Sequence, residues 1–371
     1  MRSILPFIFL VFVLAGGMLS SCKRNITDPP HCDTCCDTCH KPCDTCNKPC
    51  DTCNLNKDSL AHAFVWKESY NSAETNLTGV WVFAPTDLIV VGGNLWHFDG
   101  TTFLDLLPLR NGSNTPMDGG LSGYTIFAFS KTDYWLVDGN AFHTKDGKHF
   151  DDFRPAIIIN ACWGTKSNDM FFVGNSGNIF HYDGSSFTKM VSNTTKSIGQ
   201  IWGTKDNNIW AAGFDPGTAE SVLLHFDGSI WTPLDLSTIG NIGVARHALG
   251  GIWAVDSLGN SITIAGGSLL WRRTNAQLWR SDSGKIQNRF SDGSFDGLFL
   301  IRGNSATDFV AAGSYGFISH WNGKTWMRYD NLFNESDPVY ITNAISMKDN
   351  VICLVGFKDG QSWVAVGTRK Q

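Results

Sequence analysis

One short pattern, recurring between residues 87 and 356, restricts this chain more than any other feature. An aspartate or asparagine opens it, an apolar run follows, and a small turn residue closes it. The copies are Asp87–Gly92, Asp133–Asp138, Asp169–Gly174, Asn208–Gly213, Asn260–Gly266, Asp308–Gly313 and Asn350–Gly356. Their starts lie 36 to 52 residues apart, a period typical of stacked supersecondary units. A second element follows each of the first six copies: an apolar run ending in His-aromatic-Asp-Gly or a variant of it, then a short run holding Phe or Trp. It is clearest at His97–Gly100 before Phe103, His181–Gly184 before Phe187, His225–Gly228 before Trp231 and His320–Gly323 before Trp326. Asp-Gly and Asn-Gly between alternating runs are strong hairpin signals, because such turns need positive φ. A third element lies upstream of the first, as in Val80-Trp81, Cys162-Trp163-Gly164-Thr165 and Ile201-Trp202-Gly203-Thr204. Each unit therefore reads as four antiparallel strands in a meander.

A single meander cannot cover both of its faces. Neighbouring units must stack, and a closed ring removes the exposed ends. The expected fold is all-β: a seven-bladed β-propeller of four-stranded antiparallel blades over residues 61–371. After the last copy there is room for one more strand, Gln361–Gly367, so the outermost strand must come from elsewhere. Ala63-Phe64-Val65-Trp66-Lys67 resembles Ser229–Pro233 and can complete the last blade, tying the ring shut. The fifth unit is irregular, with extra residues (Leu269–Ala276 among them) before Gln277–Asp282; six blades are the fallback if that unit is misread.

These motifs resemble those of bacterial propeller families built from Trp-Gly-Thr, Val-Gly and Tyr/Phe-Asp-Gly repeats. They are also similar to Asp-box and WD-repeat propellers. The resemblance spans most of residues 63–371 and implies architecture only. Thr144–Phe150 comes nearest to an Asp-box, but its spacing differs, so it implies turn geometry and no activity.

Residues 1–21 read as an export signal, with Arg2 as a positive start and Ile4–Leu14 as an apolar run short for a bilayer span. Leu19-Ser20-Ser21-Cys22 follows directly. It resembles the lipobox of bacterial lipoproteins, which implies that Cys22 carries a covalent lipid such as palmitate and becomes the mature N-terminus. An ordinary secretory signal or an uncleaved anchor is the alternative. Lys23, in place of an aspartate, implies by the same resemblance the outer membrane. Residues 22–60 hold four Cys-Asp-Thr-Cys units. The first joins Cys32 and Cys35, the second Cys36 and Cys39, the third Cys43 and Cys46, and the fourth Cys50 and Cys53. Almost no apolar side chains accompany them, so the segment should be an extended tether. Paired Cys-x-x-Cys is zinc-site spacing, which makes these eight cysteines weak candidates for a metal. Thiols beyond the inner membrane tend to be oxidised, however, and no folded knuckle surrounds these. A disulfide-linked or heterogeneous spacer is favoured over zinc binding or a redox role.

Composition bears on partners. Charged residues are 17% of the chain and the net charge is -5, which gives no basic face for nucleic acid. Catalytic signatures are missing: there is no phosphate-cradling glycine loop, nucleophile elbow or His-Glu-x-x-His segment. His97, His143, His181, His225 and His320 recur at one repeat position, with Arg280 as their counterpart in the fifth unit. Such copies sit a blade apart, too far to share a metal. Asp99, Asp183 and Asp227 belong to turns, where they should bond neighbouring amides. Cys162 and Cys353 read as buried apolar residues.

Two groups remain as binding candidates. Trp81, Trp163 and Trp202, with Trp253 as a further equivalent, fall on first strands; they pack between blades or line a mouth of the channel. Trp271, Arg272 and Arg273 in the fifth unit, and Arg246 leading into it, depart from the repeat and are residue types favoured at hot spots. The loops Asn111–Asp118 and Asp215–Glu220 also exceed the blade template. The expectation is a membrane-anchored, non-enzymatic binding or scaffold propeller of the bacterial cell envelope, in the periplasm or at the cell surface, with no cofactor beyond the lipid. A protein partner is favoured. A carbohydrate-binding propeller, or a sialidase-like glycan-cleaving hydrolase or lyase, is the alternative.

Overall fold

Alternating apolar runs and turn residues fold into seven antiparallel sheets that close into a ring. The structure is a computed structural model. It describes residues 8–10, 61–71, 76–99, 101–106, 110–111, 125–218, 220–239, 249–254, 261–266, 269–273, 279–281, 298–313, 316–329, 332, 341–358 and 361–370. The inner strands are Gly79–Ala84, Thr125–Ala128, Ile159–Lys166, Ser197–Lys205, Leu249–Ala254, Leu298–Ser305 and Ile341–Lys348. Blades are numbered I to VII in that order. Blade IV shows the pattern: Ser197–Lys205, Asn208–Phe214, Ser221–Phe226 and Trp231–Pro233 run outward in sequence. Second strands lie between two neighbouring blades, so they are apolar on both faces and buried almost throughout, as in Asp169–Gly174 and Asn208–Phe214. Fourth strands, such as Phe187–Met190, keep exposed positions. The expected turns form with positive φ at Gly184 (93°), Gly228 (99°) and Gly323 (94°).

Blade VII takes its outermost strand from the other end of the chain. Phe64–Asn71 pairs antiparallel with Gln361–Arg369, from Phe64 opposite Arg369 to Asn71 opposite Ser362. Ile8–Leu10 adds a short pairing outside it, opposite Glu68–Tyr70. Side chains tighten this seam against blade VI. Arg369 donates to Asp308, and His62 meets His320 with Nδ1 to Nδ1 at 2.8 Å. The Tyr329 hydroxyl donates to the His62 carbonyl at 2.9 Å. Elsewhere, close approach joins the blades. Trp163 of blade III lies on Gly203 of blade IV, where an added Cβ would stand 2.6 to 2.8 Å from its ring atoms.

Blade V corrects the sequence expectation. Leu269–Arg273 is its third strand, not an extra loop, with Trp271 opposite Ile264 and Arg272 opposite Thr263. Arg280–Ser281 is its fourth strand. Arg272, not Arg280, therefore stands at the position of the repeated histidines. The physical reason is burial: Leu270 and Trp271 project to opposite faces of a sheet held between two others. Blade VII has Val366 at the histidine position, opposite Cys353.

Several sequence expectations fall on other parts of the chain. The lipid-attachment candidate Cys22 lies outside the described residues, as do Arg246 and residues 112–118. So do the eight tether cysteines considered for zinc: Cys32, Cys35, Cys36, Cys39, Cys43, Cys46, Cys50 and Cys53.

Candidate functional site

Strand register places one residue of each inner strand at the same height in the ring. Trp81 pairs with Ile89, Phe127 with Trp135, Trp163 with Phe171 and Trp202 with Trp210. Trp253 pairs with Thr263, Arg302 with Val310 and Ser346 with Cys353. Five aromatic side chains, one arginine and one serine thus share a single layer. Their roles differ. Trp163 is buried on Gly203 and serves the blade junction. The Ser346 hydroxyl accepts from the Val82 amide at 3.1 Å, sealing blade VII to blade I.

The other five line a central channel of about 400 Å³. Trp81 and Phe127 stand 4.9 Å apart between ring centroids, Phe127 and Trp202 6.0 Å, and Trp202 and Trp253 4.8 Å. Phe129, 5.4 Å from Phe127, extends this cluster and is 36% exposed. Edge-to-face and tilted contacts of this kind favour ring packing while leaving ring surface for a ligand.

Arg302 stands where blades III and IV have tryptophan, in Ile301-Arg302-Gly303-Asn304. Its guanidinium carbon lies 4.4 Å from the Trp202 ring centroid, within cation–π range. Nη1 donates to the carbonyls of Ile301 at 2.7 Å and Ile252 at 3.3 Å. Among the described residues, Nε and Nη2 have no hydrogen-bond partner and no carboxylate pairs with the group. Burial lowers its pKa to about 10, which leaves it cationic at neutral pH. The described channel lining includes Arg302 and Lys348 and neither Asp nor Glu, although the chain as a whole carries -5. A positive, aromatic cleft in an acidic protein concentrates anions.

The remaining candidates from sequence hold the blades together. Trp271 is 1% exposed in the core between blades IV and V. Arg272 stacks on Trp321 of blade VI at 4.5 Å, and Arg273 on Trp210 of blade IV at 5.1 Å. Sequence reasoning grouped these three with the binding residues because it placed them in a loop. It missed Phe127 and Arg302. Only Arg302 had a signal, an arginine inside an otherwise preserved Trp-Gly motif.

Each repeated histidine is bonded within its own blade. His97, His143, His181 and His320 bond through Nε2 to Asp87, Asp133, Asp169 and Asp308 at 2.6, 2.9, 2.8 and 2.8 Å. His225 bonds Asn208 at 2.9 Å. His143 also stacks on Trp135 at 4.2 Å, and burial pushes its pKa down, as it does for His225. Asp99 accepts the amides of Thr102 and Thr101 at 2.8 and 2.9 Å, which hold its carboxyl well below the usual range. Asp183 does the same with Ser186 and Ser185. Among the described residues, no three His, Cys, Asp or Glu gather as a metal site.

No protein-family model matches this chain, and no curated protein sequence does. Solved structures match well. "YCF48 bound to D1 peptide" superposes with a TM-score of 0.59 at 13% identity, covering 81% of this chain and 96% of that one. YCF48 from Cyanidioschyzon merolae gives 0.56 at 16% identity, covering 81% and 98%. What they share with this chain is the fold. With 754 solved chains matching, the architecture alone selects no ligand.

Proposed function

We propose that this chain is a lipid-anchored, non-enzymatic binding propeller of the bacterial cell envelope, and that it holds a protein partner through a segment entering its channel. The observation that carries this reading is the channel cluster of Trp81, Phe127, Trp202 and Trp253, with Arg302 stacked on Trp202. Trp163 and Ser346 illustrate what the fold needs at that height, a blade-to-blade contact. Arg302 supplies a charge beyond that need. Aromatic and arginine side chains in a desolvated pocket are the usual anchors of protein recognition. About 400 Å³ accommodates a few side chains of a partner. YCF48, a propeller of similar fold, is described with a bound D1 peptide, which makes peptide capture a reasonable use of such a ring. The non-enzymatic reading is supported by the repeated carboxylates, each engaged with a histidine or its own turn.

Cys22 would carry the lipid, and Lys23 favours the outer membrane. Residues 22–60 would be the tether that lifts the ring off a membrane surface. The test is affinity capture from detergent-solubilised envelopes with the tagged, anchored chain. A stoichiometric protein should be retained by the wild type and by Leu104→Asp on the outer edge, and lost from a folded Trp202→Ala, Trp253→Ala variant. Retention by that variant, or capture of polysaccharide without protein, would reject the reading.

A further inference from the structure

Arg302 indicates which chemical group the ligand brings. The inner-strand motif reads Cys162-Trp163-Gly164 in blade III, Ile201-Trp202-Gly203 in blade IV and Ile301-Arg302-Gly303 in blade VI. Tryptophan satisfies the fold at this position. A half-buried cation there is partly desolvated, which is unfavourable unless an anion or full hydrogen bonding compensates it. The described residues provide two carbonyls, both to Nη1, and no carboxylate. Nε and Nη2 form the side of the guanidinium that grips a carboxylate with two parallel hydrogen bonds. Around it lie Trp202, beneath the guanidinium, and Trp253 against Trp202.

We propose that Arg302 is the anion-binding centre of the channel and takes a ligand carboxylate carried beside an aromatic or other flat apolar group. The proposal rests on the channel being the binding site. A free aromatic acid and an acidic side chain of a protein segment present the same chemistry. Two planar partners then stack while the carboxylate replaces water around Nε and Nη2, so affinity depends on the charge and not only on ring area.

The experiment is calorimetric titration of the full chain in detergent with two matched pairs of probes. One pair is indole-3-acetate and indole-3-acetamide. The other is acetyl-Phe-Glu-Phe-amide and the same peptide with Gln. In at least one pair the anion should bind about tenfold or more tightly than its neutral match, the scale of a charge-assisted bidentate contact. Arg302→Gln and Arg302→Met should erase that preference, so that the two members of each pair bind alike. Arg302→Lys should keep part of it. Preference in the first pair alone identifies a small acid, and in the second an acidic protein segment. Equal binding of both members in both pairs, absence of binding at millimolar concentration, or a preference surviving in Arg302→Gln would each overturn the proposal. Anion preference without any captured protein would retain this site and remove the protein-partner reading. A captured protein held equally by Arg302→Gln would do the reverse.

Discussion

Arg302 and Trp163 occupy equivalent positions in the ring and do opposite things. Trp163 fills a junction against Gly203, so Trp163→Ala should lower stability by about 3–5 kcal/mol, read by chemical denaturation. Arg302 is a half-buried cation without a carboxylate partner among the described residues, and Arg302→Met should be neutral or stabilising by about 1 kcal/mol. A higher melting temperature together with lost anion preference is the pattern of a residue kept for binding. The histidines set a pH dependence. Burial lowers the folded-state pKa of His143 and His225 below the ordinary 6.5, so the unfolded chain binds protons first as pH falls. Stability should therefore decline from about pH 6.5 downward, and His225→Gln should flatten that decline in melting curves. Asp99 and Asp183, also depressed, add their loss only below the ordinary carboxylate value of 3.8. At this scale the sequence was partly legible. The turn aspartates and the structural histidines could be read because each recurs in a fixed motif. Phe127 could not, since no Trp-Gly step marks its strand, and register with Trp135 alone reveals its place.

Among the elements, Phe64–Asn71 bears most on integrity. It is the only link by which the two ends of the described ring pair within one sheet, opposite Gln361–Arg369. Deleting residues 61–71 should leave the edge of Gln361–Arg369 open, broaden the unfolding transition and promote self-association, all measurable by calorimetry and light scattering. Retention of a sharp, monomeric transition would show that the seam contributes little. This strand was legible because the last repeat visibly lacked a fourth run. The third strand of blade V was not. Leu269–Arg273 ends without the His-aromatic-Asp-Gly step that marks its counterparts, and Arg272 replaces the histidine by stacking on Trp321. A strand lacking its usual turn signal is recognised only through what it buries.

For the whole molecule, seven-fold repetition fixes architecture and leaves function to the positions that break it. The repeated residues make blades; the channel gathers the aromatic layer and its one arginine. Anchoring belongs to the same scale: Cys22→Ser should move the protein from the membrane fraction to the soluble fraction, and unchanged fractionation would argue against a lipid on Cys22. The most direct measurement is site-specific photocrosslinking in intact cells, with the photoreactive residue placed at Phe129 in the channel or at Leu104 on the outer edge of blade I. Both positions are exposed, at 36% and 50%, so accessibility does not decide the outcome. A discrete protein adduct from position 129 and none from 104 is the result expected of a binding channel. An adduct from 104 alone would place recognition on the blade edges and contradict it.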